Sequence, residues 1–282
     1  MTSHYVVGGG GARLHVLETG NPKGQPILFI HGFSQCGLCW GRQLDSDLAA
    51  DHRLVAMDLR GHGQSDKPRD AYADSKLWAD DVNAVLRSLD LDQAVLSGWS
   101  YGPLVILDYI RHYGEQEIGG IQFVGGISKL GSEDALSVLT PEFLANVPGM
   151  LSEDANESAH ALEALIDMAI ASDLSAQERS AMLAWNVSVP SHVRQALFAR
   201  AFDNDDLLRT IRKPVLITHS VAETVVRPAA AEQHLTVMPH AQAHWTRQAG
   251  HAPFWDEAAD FNQRLAQFAA DVKKSAPTEV AT

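Results

Sequence analysis

The sequence GWSYG at residues 98–102 decides the fold of this chain, because it reads G-x-S-x-G between a strand-like run and a helix-like run. Residues 94–97 (AVLS) predict a buried strand, and residues 103–109 (PLVILDY) predict a helix. Ser100 at such a turn is forced into a strained backbone conformation with its hydroxyl exposed, and the flanking glycines let other backbone pass closely. The N-terminal end of the helix brings positive partial charge to the serine. The motif therefore predicts a nucleophilic serine rather than an ordinary tight turn.

The composition fits one soluble α/β domain that carries an insertion. The chain has 282 residues, of which 45% are hydrophobic and 20% charged, and its formal net charge is −13. This strongly negative net charge argues against nucleic acid or an anionic membrane as a partner. No apolar run approaches the ~20 residues of a membrane span, and the first residues lack the pattern of a signal peptide. A cytoplasmic location is the expectation that follows.

On both sides of the motif, strand-like runs alternate with helical ones. The apolar runs are short and continuous, as expected of strands buried on both faces of a parallel sheet. This alternation is typical of a parallel sheet with helices on both faces. The predicted strands are residues 5–7, 13–17, 26–30, 53–58, 94–97, 118–124 and 213–218, and the predicted helices are residues 75–89, 103–109 and 252–272.

The alternation stops after residue 130. Residues 131–209 are rich in Ala, Leu, Ser and Glu and show helical stretches without a convincing strand. We therefore expect an α/β core made of residues 1–130 and 210–282, with a helical cap inserted at residues 131–209. The polar tail from Lys273 to Thr282 is expected to fray.

A serine nucleophile needs a base within hydrogen-bond reach and an acid that orients the base. His251 is the candidate base, because it follows a glycine and opens the last predicted helix. Glu223 is the candidate acid, because it lies in the loop after the strand at residues 213–218. Glu133 and Asp134, which follow the preceding strand, are the alternatives, together with a dyad that lacks an acid.

These motifs together resemble the α/β-hydrolase family, and in particular its cofactor-free, haloperoxidase-like esterases and perhydrolases. The chain order Ser, acid, His agrees with that family, but SVAE at residues 220–223 stands where the family usually has Gly-x-x-Asp. The resemblance implies an α/β fold with a mostly parallel eight-stranded sheet, no cofactor and no metal. It also implies an oxyanion hole made of the backbone N–H groups of Phe33 and Tyr101. The segments that carry the resemblance are residues 31–33, 60–66, 98–102, 220–223 and 250–253.

The expected reaction is hydrolysis of a small carboxylic ester, lactone or thioester through an acyl-enzyme on Ser100. Transfer of the acyl group to peroxide is the expected side activity. Serine at this position argues against haloalkane dehalogenases and epoxide hydrolases, which attack through aspartate. Two alternatives stay open: a carbon–carbon bond hydrolase of ring-cleavage products, and a hydrolase-like ligand-binding protein with little turnover. The expected partner is a small-molecule ester, and the expected pocket walls are aromatic: Phe33, Trp40, Trp99, Tyr101, Phe143, Trp185 and Phe254.

Several other motifs predict structure rather than chemistry. Cys36 and Cys39 form a C-x-x-C, which we interpret as two reduced thiols at the start of a helix because no thioredoxin-like βαβ unit surrounds them. His31 is expected to brace its loop. His240 and His244 fit a solvated surface better than a metal site.

Overall fold

A single eight-stranded sheet forms the centre of the protein. The computed structural model describes residues 1–275. The sheet strands are β1 (Thr2–Val7), β2 (Arg13–Gly20), β3 (Gln25–Ile30), β4 (His52–Met57), β5 (Ala94–Trp99), β6 (Ile118–Val124), β9 (Val215–Ser220) and β10 (Gln242–Thr246). A separate two-stranded ribbon pairs β7 (Lys129–Leu130) with β8 (Phe202–Asp203).

The strand order is β1-β2-β4-β3-β5-β6-β9-β10. The first two strands pair antiparallel, and β2 also pairs antiparallel with β4, whereas every later pair is parallel. Every residue of β5 and β6 is buried. Because parallel strands end at the same edge of the sheet, the loops after β3, β5, β6 and β9 meet at one edge. This confirms the predicted fold class, a mostly parallel eight-stranded sheet flanked by helices.

Helices cover both faces of the sheet. On one face α3 packs against α4, and on the other α13 contacts β3 and β6. The helices are α1 (Gly41–Leu44), α2 (Leu48–Asp51), α3 (Ser75–Ser88), α4 (Gly102–Tyr113), α5 (Glu133–Ser137), α6 (Pro141–Leu151), α7 (Ala155–Ala169), α8 (Ala176–Val187), α9 (Ser191–Phe198), α10 (Asp205–Leu208), α11 (Pro228–Val237), α12 (Pro253–Asp256) and α13 (Ala258–Ser275), with 3₁₀ turns at Gly9–Gly11 and Gly37–Trp40. None of these described helices has the length and apolar character needed to cross a membrane.

Six helices, α5 to α10, stand between β6 and β9, where the sequence predicts a helical insertion. Local sequence explains where four of them begin, because side chains at their N-caps accept backbone N–H groups of the first turn. Ser175 and Glu178 form a complete capping box at the start of α8. The other capping side chains belong to Ser132, Thr140 and Asp154.

The structure differs from the sequence-based expectations at the C-terminal end of the chain. Strand β10 is not among the predicted strands, because its residues are mostly exposed or half-buried and it lies at the sheet edge.

The predicted helix 252–272 is divided into α12 and α13 at Glu257. Asp256 and Glu257 bind backbone N–H groups of neighbouring loops at this point. Helix α13 continues to Ser275, and the rest of the predicted tail lies outside the described residues.

Candidate active site

Ser100 occupies the turn between β5 and α4, and its φ of 57° lies in the left-handed region. For a residue with a Cβ atom this conformation is strained, as the sequence motif predicts. Glycines make the turn possible. A Cβ atom at Gly98 would lie 2.8 Å from the backbone of Gly102, and one at Gly32 would lie 2.9 Å from the Cβ atom of Ser100. Ser100 is therefore held at the point where β5, α4 and the loop after β3 meet.

His251 lies between β10 and α12, and its side chain is buried. The indole Nε1 of Trp99 donates a hydrogen bond of 2.9 Å to the backbone oxygen of His251, and the two rings are 5.4 Å apart. The residue just before Ser100 thus fixes the loop that carries the imidazole. His251 Nδ1 lies 2.9 Å from Glu223 Oε2.

Glu223 lies in the loop after β9, and its side chain is fully buried. Its Oε1 atom accepts N–H groups of Thr224, Val225 and Val226 at 2.9, 2.7 and 3.2 Å. Burial alone would raise the pKa of the carboxyl, but the charge and hydrogen bond of His251 and the bound amides outweigh burial and lower it. The structure therefore presents an ionised carboxylate to the Nδ1 atom of His251.

The alternative acids lie elsewhere. Glu133 and Asp134 are exposed residues in the first turn of α5, and Asp134 pairs with Lys129 Nζ at 2.6 Å. Within the described part of the chain, Glu223 is the carboxylate that is hydrogen-bonded to His251.

Ser100 and His251 line the same cavity, but within residues 1–275 no hydrogen bond joins the serine hydroxyl to the imidazole. Such bonds are often long before a substrate binds. Among the described residues, neither the N–H of Phe33 nor that of Tyr101 donates a hydrogen bond to another protein group.

Two apolar lobes meet at the serine. The histidine lobe has about 590 Å³ of space free of protein atoms, its mouth included, and the tyrosine lobe has about 380 Å³. Both are lined by Phe33, Ser100, Phe143 and Val225. The histidine lobe is further lined by Gln35, Cys39, Trp99, Leu165, Ile166, Ala169, Ile170, Met182, Trp185, His251, Ala252, Phe254 and Trp255. The tyrosine lobe is further lined by Tyr101, Ile127, Leu130, Leu139, Phe198 and Val226.

The structure brings most of the predicted wall residues to these lobes. The exception is Trp40, which is fully buried behind the wall, with its ring 4.2 Å from that of Phe254 and 4.8 Å from that of Phe29. The aliphatic wall residues, among them Leu165 and Met182, are not among those predicted from the sequence. Leu165 lies on α7 and Met182 on α8, and the sequence alone does not show which face of each helix turns towards the serine.

His31, Cys36 and Cys39, which the sequence marks as structural residues, lie in buried surroundings. His31 Nε2 accepts the N–H of Leu59 at 3.0 Å and His31 Nδ1 lies 2.8 Å from its neighbour's carbonyl oxygen, so this residue braces its loop. Cys36 and Cys39 are free thiols, both buried. Burial raises the pKa of Cys36 to about 12, which keeps that thiol protonated. Among residues 1–275 no three His, Cys, Asp or Glu side chains form a group that could hold a metal ion.

The family model described as "Alpha/beta hydrolase family" matches residues 27–264. An esterase named RhEst1 from Rhodococcus sp. ECU1013 has a similar structure, with a TM-score of 0.91 and 36% sequence identity over 96% of this chain and 100% of the other.

Two further proteins are similar to this chain. A putative aryl esterase from Burkholderia cenocepacia matches it with a TM-score of 0.90 and 28% identity, over 97% of this chain and 100% of the other. A putative non-heme chloroperoxidase from Synechocystis sp. is 37% identical over 95 residues, which cover 34% of each chain.

Proposed function

Because this chain belongs to the alpha/beta hydrolase family, we propose that it is a serine esterase that cleaves small apolar carboxylic esters through an acyl-enzyme on Ser100. The observation that carries the proposal is the contact of 2.9 Å between His251 Nδ1 and an ionised, buried Glu223, beside a strained serine that lines the same cavity. The structural similarity to two esterases agrees with it.

Each residue has a role that follows from its position. Glu223 accepts the Nδ1 proton of His251, so the lone pair of Nε2 is left to take the proton of Ser100. The serine oxygen attacks the ester carbonyl carbon, and the carbonyl oxygen becomes an anion that the amides of Phe33 and Tyr101 stabilise. His251 then returns the proton to the leaving alcohol. Water repeats the sequence on the acyl-enzyme and releases the acid.

The two lobes take different parts of the ester. The leaving oxygen must come within hydrogen-bond reach of His251, which lines the larger histidine lobe and not the tyrosine lobe. The alcohol portion therefore belongs in the histidine lobe, and the acyl chain in the smaller tyrosine lobe. Apolar walls around both lobes favour uncharged esters with a short acyl chain and a larger, aromatic alcohol. Lactones and thioesters present the same carbonyl carbon.

A perhydrolase side activity belongs to the same proposal. Hydrogen peroxide can replace water as the attacking group on the acyl-enzyme, and the product is then a peroxy acid. The similarity to a non-heme chloroperoxidase over part of the chain agrees with it.

The lining of the lobes disfavours the carbon–carbon bond hydrolase. Ring-cleavage products carry carboxylate groups, and a buried carboxylate needs a cation or several hydrogen-bond donors. Among the described residues, no Lys or Arg lines either lobe.

The decisive experiment is hydrolysis of p-nitrophenyl acetate and p-nitrophenyl butyrate by the wild type and by Ser100→Ala. We expect clear turnover by the wild type, and a loss of at least about 10³-fold in the variant at unchanged melting temperature. A fluorophosphonate should modify Ser100 stoichiometrically in the wild type. Comparable turnover by the folded variant would exclude this mechanism, and a folded wild type without turnover or labelling would favour the ligand-binding alternative.

A further inference from the structure

A second serine, Ser3, has the hydrogen-bond partners of a catalytic serine. Ser3 Oγ lies 2.9 Å from His15 Nε2, and His15 Nδ1 lies 2.8 Å from Asp58 Oδ2. Ser3 is exposed on β1, the edge strand of the sheet, whereas His15 and Asp58 are buried. An exposed hydroxyl is therefore connected through a buried imidazole to a buried carboxylate, in the order that activates a serine.

The surroundings of Asp58 fix which nitrogen of His15 carries the proton. Asp58 also accepts the N–H groups of Gly37 at 2.7 Å and Gln64 at 2.8 Å. Burial would raise the pKa of this carboxyl, but the hydrogen bonds of His15 and of the two amides lower it overall. The ionised carboxylate accepts the Nδ1 proton of His15, so Nε2 carries a lone pair. In the contact with Nε2 the Ser3 hydroxyl is then the donor, and its oxygen is polarised for attack.

Two other Ser–His pairs in the molecule lack this combination. Ser75 Oγ lies 2.8 Å from His112 Nε2, but no described carboxylate is hydrogen-bonded to Nδ1 of that ring. Ser128 is paired with His234 at 2.9 Å, but both residues are buried. Within residues 1–275, Ser3 thus combines an exposed hydroxyl with an imidazole that a carboxylate orients.

We propose that Ser3 is a second acceptor site for activated acyl and phosphonyl groups, independent of Ser100. With a fluorophosphonate, a bond forms between Ser3 Oγ and phosphorus, the P–F bond breaks, fluoride leaves, and the hydroxyl proton passes to His15 Nε2. With an activated ester, the oxygen bonds to the acyl carbon and the alcohol leaves with that proton. Ser3 lies in a regular strand rather than at a strained turn beside a cavity. The adduct is therefore expected to accumulate once per chain, without turnover.

The test uses the full chain with Ser100→Ala, so that the main candidate nucleophile is absent. The protein is treated with a fluorophosphonate, and the adducts are located by peptide fragmentation, which separates Ser3 from the neighbouring Tyr5. We expect Ser3 to be modified about tenfold or more faster than Ser75, because an oriented general base contributes ~10²–10⁴. Ser3→Ala should remove this adduct, and His15→Gln should reduce its rate to that of Ser75.

Modification of Ser3 no faster than Ser75, or an unchanged rate in folded His15→Gln, would overturn the proposal. Because His15 is buried, circular dichroism must show that its variant is folded. If it is not, the ratio of Ser3 to Ser75 adduct in the Ser100→Ala protein decides alone. The result is independent of the esterase proposal, since esterase turnover is not measured.

Discussion

Glu223, the candidate acid, is one methylene longer than the aspartate that the sequence resemblance implies at this position. Three successive backbone amides, those of residues 224–226, bind its Oε1 atom and leave Oε2 for His251. The extra methylene thus lets the carboxylate reach back to the backbone amides of its own loop. Gly125 lies against this pair, because a Cβ atom there would be 3.1 Å from His251 Nδ1 and 3.2 Å from Glu223 Oε2.

Substitution of Glu223 tests whether this carboxylate orients the base. We expect Glu223→Gln to lower kcat for p-nitrophenyl acetate by about 10³–10⁴, because an amide favours the wrong tautomer of His251, as in the Asp→Asn variant of the serine protease triad. Glu223→Asp should lower kcat less, since the charge stays but the shorter side chain cannot reach both the amides and the imidazole.

Asp134→Asn is the matched control, because this exposed residue pairs with Lys129 rather than with His251. Full activity of Glu223→Gln, together with a loss in Asp134→Asn, would assign the acid to α5 instead. Steady-state kinetics of the purified variants at pH 7 make this distinction.

The positions of single residues of the candidate site could be predicted where local sequence determines them. Ser100 and His251 follow from turn motifs whose glycines are required by backbone geometry, and their chain order restricts the acid to a few positions. The walls of the lobes depend on the packing of distant elements. Trp40 therefore looks like a wall residue in the sequence but packs in the core, whereas Met182 gives no signal and lines the histidine lobe.

At the scale of elements, the C-terminal end of α9 and the residues that follow it contact Phe33 and Tyr101, the two residues whose amides have no partner among the described residues. Phe198 packs edge-to-face on Phe33, with ring centres 4.9 Å apart. Arg200 Nη1 donates a hydrogen bond of 3.2 Å to the hydroxyl oxygen of Tyr101, and its Nη2 binds Asp108 of α4 at 2.6 Å. Through these contacts the helices between β6 and β9 are attached to the two sides of the candidate oxyanion hole.

Loss of the Arg200 contact should therefore affect the transition state more than substrate binding. We expect Arg200→Lys to lower kcat about tenfold with little change in KM, because a lysine cannot hold both Tyr101 and Asp108 and the Tyr101 amide shifts. Arg194→Lys is the control. Arg194 is also buried, but its partners, among them Met150 and Ser158, belong to the same group of helices.

Both variants should lose thermal stability, which a melting curve measures, but a loss of kcat is expected of Arg200→Lys alone. Equal kcat values for the two variants would show that the Arg200 contact has only a structural role.

Strands and helices were predictable to different degrees. The buried strands β3 to β6 have mostly apolar sequences, whereas β10 carries Gln242, His244 and Thr246 among its five residues. An edge strand is covered on fewer sides, so its sequence has no strong apolar pattern. The division between α12 and α13 depends on side chains that bind loops distant in sequence, and local periodicity does not record it.

At the scale of the whole molecule, the core contains several histidines that are neutral in the folded state. Burial lowers the pKa of His62 and of His234 to about 3. His31 and His219 are lowered as well, again mainly by burial. The unfolded chain therefore binds protons at these histidines at pH values above the ordinary pKa of Asp and Glu side chains.

The free energy of unfolding should decrease as the pH falls below about 6.5, the ordinary pKa of histidine. Below that value the unfolded chain binds protons that folded His62 and His234 do not, so stability is complete above pH 6.5 and is lost progressively towards pH 3. Each histidine contributes a slope of about 1.4 kcal/mol per pH unit.

Urea unfolding of the wild type at pH 7, 6, 5.5 and 5 measures the total slope. His234→Gln should reduce that slope by the contribution of one histidine, about 1.4 kcal/mol per pH unit. His240→Gln, at an exposed position, should leave the slope unchanged. Equal slopes for the wild type and both variants would mean that burial of His234 does not govern the acid sensitivity of the fold.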